Sequence, residues 1–195
     1  MLQHLKTSTI LLLTAGFILL GSLVGYNMAL QSEFNKGTYK DPYRNYVTLN
    51  HRDFNQVIIN PATEINVKIV SGDYKVQVHE FANDFIQIKK SGSNLQVDLV
   101  YPQQEKRKPY GDLVVITCPN LANLKTNGFY SVQGKKITST KSWDDNTVTV
   151  QGFQQPALGL QQDKATAVRL SNNKLNRLEA VVGVSTGSSA RLNLE

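Results

Sequence analysis

The residues of this 195-residue chain best suited to chemistry are three histidines, one cysteine and an adjacent acidic pair. His4 precedes an apolar run, His51 stands alone, and His79 continues the polar positions Lys75 and Gln77, where a solvated histidine is expected. Cys118 could serve as a nucleophile only as a thiolate beside a base. It follows Val114, Val115 and Ile116 with no histidine near it in sequence, so a small buried hydrophobe is expected. A single cysteine also excludes an internal disulfide. Asp144-Asp145 could offer two carboxyls to a cation or a sugar, but it sits in the turn-like SWDDNT, where neighbouring side chains point apart as often as together. HExxH, CxxC, GxSxG and the Gly-Lys-Ser/Thr phosphate cradle are all absent. No catalytic, cofactor-binding or metal-ligating residue is therefore assigned, no cofactor is implied, and an enzyme is not expected. A carbohydrate lyase or hydrolase is the alternative. It needs carboxyls gathered on one face, about 5–10 Å apart for hydrolysis. Asp144, Asp145, Asp163, Glu179 and Glu195 do not recur at a common spacing.

Charge narrows the partners. Lys and Arg number 21 against 15 Asp and Glu, a formal net charge of +6. The densest cluster, Lys106-Arg107-Lys108, lies in the charged connection Pro102 to Gly111, an excursion from the fold, and reads as a solvated loop. A basic stripe interleaved with aromatics, as nucleic acid requires, is missing, so no nucleic-acid partner is expected.

The elements that hold these residues begin with an anchor. No charge occurs between Lys6 and Glu33, and ILLLTAGFILLGSLV (10–24) is almost wholly apolar. About 20 helical residues cross a bilayer core. Residues 8–30 are read as a transmembrane anchor or uncleaved signal. The A-x-A-like candidate Asn27-Met28-Ala29 has a poor first position for cleavage. Lys6 and the free amine place the tail 1–7 in the cytoplasm. The remainder is then periplasmic or extracellular, on a single-pass protein of the cell membrane. Residues 31–50 are polar, with Gly37 and Pro42, and read as a tether. Its Tyr39, Tyr43 and Tyr46 suit a boundary between apolar and wet surroundings.

From residue 51 the pattern is β. Ile65, Val67 and Ile69 alternate with polar residues, as do Tyr74, Val76 and Val78, then Ile86 and Ile88, then Leu95, Val97, Leu99 and Tyr101. Gly, Asn and Ser corners separate these runs, among them Ser71-Gly72-Asp73 and Ser91-Gly92-Ser93-Asn94. Period-two alternation between such corners predicts half-buried strands and an all-β domain. Within LVVITCPNLANLKTNGFYSVQ (113–133) a strand breaks at Pro-Asn, steps through NLxxL and turns at Asn127-Gly128. Short strands then recur, marked by Val132, Val150, Val168 and Ala190. Steps of about 20 residues fit one coil of a parallel β-solenoid. Leu158, Leu160, Leu175, Leu178, Val181 and Val182 would line its other walls. An antiparallel sandwich is the competing architecture. It would favour tight two-residue hairpins and longer strands.

The order FNQVIIN, INVKIVSGDYKVQVH, then 113–133, then STGSSARLNL resembles the bacterial DUF2807 family. That family is described as a putative auto-transporter adhesin, head GIN domain. The resemblance covers residues 51–195 and is most specific over Val114 to Val132. It implies an extracytoplasmic right-handed parallel β-helix behind an N-terminal anchor, with adhesion as its theme. The chain departs from the family's Ser-Gly-Ser-Gly corners at Asn127-Gly128-Phe129 and Ser171-Asn172-Asn173, and only Thr186-Gly187-Ser188-Ser189 is close.

The expectation is a non-catalytic, membrane-anchored β-helical domain that meets a protein or a glycan in the envelope. Gln151, Gln154, Gln155, Gln161 and Gln162 are its candidate hydrogen-bonding face. An uncapped last strand, ending at Glu195, would invite self-association through the C-terminal edge. An envelope structural or regulatory component is a further alternative. Gly16, Gly21 and Gly25 would then give the helix a small-residue contact face.

Overall fold

The computed structural model describes residues 7–37, 40–104, 110–139, 146–183 and 190–195. The chain divides into two compact units, Met1–Arg44 and Asn45–Glu195.

The first unit is one helix, α1, Thr7–Lys36. Its 30 residues are about 45 Å long, more than a bilayer core requires. None of its side chains is buried in protein. Its hydroxyls turn inward on the helix itself: Thr14 Oγ1 donates to the Ile10 carbonyl at 2.9 Å and Ser22 Oγ to the Leu19 carbonyl at 2.8 Å. That leaves an apolar exterior suited to lipid, where unmet polar groups are costly. The helix continues through residues 31–36 of the segment read as a tether, closing with a Lys36–Glu33 ion pair. Tyr39 lies outside the described residues.

The second unit is built from two sheets. Along the chain come β1 (Tyr46–Leu49), β2 (Gln56–Ile59), β3 (Asn66–Ser71), β4 (Lys75–His79), β5 (Ile86–Ser91), β6 (Asn94–Tyr101) and β7 (Asp112–Cys118). Then follow β8 (Asn123–Thr126), β9 (Phe129–Val132), β10 (Lys135–Thr138), β11 (Val148–Gln151), β12 (Gln154–Gln162), β13 (Ala167–Ser171), β14 (Lys174–Val182) and β15 (Arg191–Leu194). The first sheet has the order β1-β4-β7-β3-β11-β13-β15. The second has the order β10-β9-β6-β2-β8-β12-β14, with β5 also on β6. Neither sheet closes into a barrel.

From β11 to β15 the chain changes sheet after every strand. Each strand therefore arrives beside the one two places earlier and runs parallel to it. Val148 pairs with Val168, and Leu158 with Leu178, both twenty positions on. The inner columns are apolar across the first sheet: Val114–Val67–Val148–Val168–Leu192 and Ile116–Ile69–Val150–Leu170–Leu194. Opposite them run Leu95–Val57–Leu124–Leu160–Ala180 and Val97–Ile59–Thr126–Gln162–Val182. These columns meet in one hydrophobic cluster that draws on both sheets.

The two mixed sheets do not make the continuous parallel solenoid expected from the sequence, in two respects. The β6–β7 step lies on the far side of β2–β3 from the β8 and β11 strands, so spatial order is not chain order. Antiparallel pairings also border that end: β1 on β4 and β4 on β7, β5 on β6, and β10 on β9, while β9 itself runs parallel to β6. The hairpin turns on Gln133 and Gly134, both at positive φ, the two-residue turn whose twist matches paired strands. Strand β1 also falls inside the segment 31–50, because Val47 and Leu49 pair with Val78 and Val76. Two markers and two wall residues shift as well. Val132 lies in the hairpin strand β9, where it pairs parallel with Tyr101 of β6, Ala190 precedes β15, and Val181 and Val182 are exposed. The last strand of a stack has a neighbour on one side only, which hydropathy cannot register.

The corners carry polar residues in columns of their own. Asn60 Nδ2 donates to Asp98 Oδ1 at 2.5 Å, and Asn127 Nδ2 donates to Asn60 Oδ1 at 2.9 Å. Asp98, Asn60 and Asn127 directly follow paired residues of β6, β2 and β8, so the side chains tie successive corners together. On the opposite side Asn173 bridges two coils, accepting from the Phe153 N–H and donating to the Val150 carbonyl.

Candidate functional site

A strand's outward residues follow from its inward ones, because side chains alternate. In the second sheet the residues flanking Val57, Leu124, Leu160 and Ala180 make two outer columns. One is Gln56–Asn123–Gly159–Glu179 and the other Ile58–Lys125–Gln161–Val181. Together they line a shallow groove of about 340 Å³. Gly159 is its floor. A Cβ there would lie 2.3 Å from Asn123 Oδ1, so the asparagine side chain rests where a larger residue would stand. Around this floor are three side-chain amides, one ammonium and one carboxylate. Glu179 pairs with Arg177 at the rim, and Lys125 makes no ion pair among the described residues.

Such a surface can donate and accept hydrogen bonds at several points without committing charge to one place. That is the chemistry of hydroxyl-rich or backbone-rich ligands. A smaller hollow of about 180 Å³ lies at the far end, between β6 and the hairpin, where Lys136 Nζ stands 3.6 Å over the Phe129 ring.

Of the five glutamines read as a binding face, the structure brings Gln161 to the groove. Gln162 is fully buried, its amide donating to the Arg191 carbonyl at 3.0 Å. Gln155 is taken by the backbone, accepting from the Leu121 N–H and donating to the Leu121 carbonyl. Gln151 ends β11 in the other sheet and Gln154 opens β12. Gln56, Asn123, Lys125 and Glu179 were missed. They sit on four strands far apart in sequence, and only the parallel register puts them side by side.

The chemically capable residues are dispersed. His79 Nδ1 accepts from the Phe81 N–H at 3.2 Å, and its ring meets Tyr46 edge-on at 5.1 Å. Cys118 is buried, which pushes its thiol up to about 12. Asp163 Oδ1 accepts from the Lys164 N–H at a corner. Burial raises the Asp112 carboxyl above its ordinary range, partly offset by Lys68. No group of three His, Cys, Asp or Glu is placed to hold a metal among the described residues. Asp144-Asp145, Lys106-Arg107-Lys108 and Thr186-Gly187-Ser188-Ser189 lie outside them.

Fold and groove define a mostly parallel two-sheet β protein with an apolar N-terminal helix. No protein-family model matches the chain, and no curated protein does. Among solved structures it is similar to a putative adhesin from Parabacteroides distasonis ATCC 8503, at 12% identity and a TM-score of 0.51. That superposition covers 76% of this chain and 55% of the other, so the chain spans about half of that protein's length. A putative adhesin from Bacteroides fragilis NCTC 9343 follows at 14% identity and a TM-score of 0.40, covering 76% and 93%. A putative lipid binding protein from Parabacteroides distasonis ATCC 8503 stands at 14% identity and 0.35, covering 69% and 61%. At these identities the likeness is one of fold, and it rests on the first superposition.

Proposed function

We propose that this chain is a non-catalytic, membrane-anchored envelope domain of adhesin type that meets a glycan or a protein through the outer face of its second sheet. In this reading residues 1–7 are the cytoplasmic tail, 8–30 the anchor, 31–50 the tether and 51–195 the extracytoplasmic domain. The domain belongs with the DUF2807 family, and its parallel coils wind right-handed like a β-helix, the hand that parallel crossovers adopt almost without exception. The last strands form a contact edge for a second copy. The observation that carries the reading is the amide-lined groove at Gly159, where Gln56, Asn123 and Gln161 converge beside Lys125 and a Glu179 already paired with Arg177. The likeness in fold to a putative adhesin supports it.

The test is binding by the full chain in lipid nanodiscs to a glycan array and to envelope proteins. A ligand whose affinity falls about tenfold on Gln161→Leu or Lys125→Ala, the loss of one or two net hydrogen bonds, is the expected result. A ligand held unchanged by both variants, or no ligand in either assay, overturns it.

A further inference from the structure

The two ends of the stack differ. At one end β1, β4, β5 and the β9–β10 hairpin border the parallel strands, with β1 running in the direction of β7 and β9 parallel to β6. At the other, β14 and β15 are the last strands of their sheets, each paired on one side only among the described residues. The core shows through there. Leu170, Leu175, Leu178 and Leu194 line a hollow of about 180 Å³, and Leu194 is 66% exposed. A nine-residue strand edge with one side unpaired is a template for another strand.

The sequence of β14 indicates which strand. Arg177 and Glu179 flank Leu178, and both side chains are well exposed and paired with each other. In an antiparallel pairing of β14 with its own copy, centred on Leu178, Arg177 stands opposite Glu179 of the second copy, and Glu179 opposite its Arg177. The charges are self-complementary about that one residue. Directly opposed charges of opposite sign stabilise a sheet, and like charges oppose it. Head-to-tail stacking would set β14 against β10, the border strand of the same sheet, whose charged residues Lys135 and Lys136 are both basic and do not complement Arg177. The charges match in a closed two-fold contact of end with like end, in which the same patch serves both copies.

We infer that the protein forms a two-fold dimer in which β14 pairs antiparallel with β14 of a second copy in the register Leu178 to Leu178, continuing both sheets across the dyad. This rests on the edge-contact reading above, and Glu179 is shared between that edge and the groove. The full chain in detergent micelles, followed by light scattering across a concentration series, is expected to be a dimer. Arg177→Glu raises the dimer dissociation constant about tenfold by opposing like charges. Combining it with Glu179→Arg restores the wild-type value. Leu178→Cys forms an intermolecular disulfide on mild oxidation, since directly opposed strand residues come within bridging distance. Cys118 is buried and does not compete. A monomer at every concentration overturns both the edge contact and the register. A dimer that tolerates Arg177→Glu and leaves the Leu178→Cys thiols unbridged overturns the register. If such a dimer is broken by substituting Gly16, Gly21 or Gly25, the contact belongs to the helix and the edge contact is refuted as well.

Discussion

Gly128 sits where two corners come closest. A Cβ on it would lie 2.4 Å from the Lys164 carbonyl oxygen and 2.8 Å from Lys164 Cβ. Asn127-Gly128 reads as a turn in the sequence, yet Gly128 is not among the positive-φ residues. Its lack of a side chain serves backbone approach instead, a need that arises from a neighbour 36 positions away and leaves no local trace. Gly128→Ala should destabilise the domain by about 2 kcal/mol, within the range for overpacking, read as a lowered midpoint in urea. Cys118 was legible, because an apolar run around a lone cysteine has few other meanings. Its burial gives a second prediction. A thiol whose folded pKa of about 12 exceeds its ordinary value of 9.0 contributes stability that is fully present below pH 9 and is lost as pH rises toward 12. Denaturation midpoints should therefore fall over that window, less steeply in Cys118→Ala, and the native thiol should resist maleimide at pH 8.

The elements were read unevenly. Alternation placed Val67 and Ile69 of β3, Val76 and Val78 of β4 and all four inward residues of β6 in the core, where each is buried. Period two identifies a strand's faces whatever its neighbours are. Pairing was harder to read. β12 and β14 run nine residues each, longer than the brief strands expected, because a parallel partner on the same path extends both. The glutamines show the same limit. Gln155 and Gln162 look like surface polars in sequence, and each is fixed by a coil 29 to 34 positions away. Gln155→Ala removes two hydrogen bonds to Leu121 and should cost about 1–3 kcal/mol, mostly by loosening the approach to β8. Hydrogen exchange should quicken at Leu121 and Ala122 and not in β4. For α1, composition was enough to mark a helix long and apolar enough to cross a membrane, and the extra turns to Lys36 could not be told from a polar linker.

At the scale of the whole molecule, strands that alternate between two sheets create surfaces no single segment owns. The second sheet's outer face collects Gln56, Asn123, Lys125, Gln161 and Glu179 from four strands, with Gly159 leaving room between them. The first sheet's outer face includes Arg169, which pairs with Glu195 at 3.3 Å, an exposed contact of small energetic weight. The two faces are thus chemically distinct on one scaffold, and the proposed role belongs to one of them. The most direct test compares the faces. With the ligand selected by the wild-type chain in nanodiscs, affinities are measured for Gln161→Leu, Lys125→Ala and Arg169→Ala. Weakening of about tenfold in the first two, with Arg169→Ala unchanged, is the predicted result. Equal affinity in all three, or a loss confined to Arg169→Ala, would contradict it.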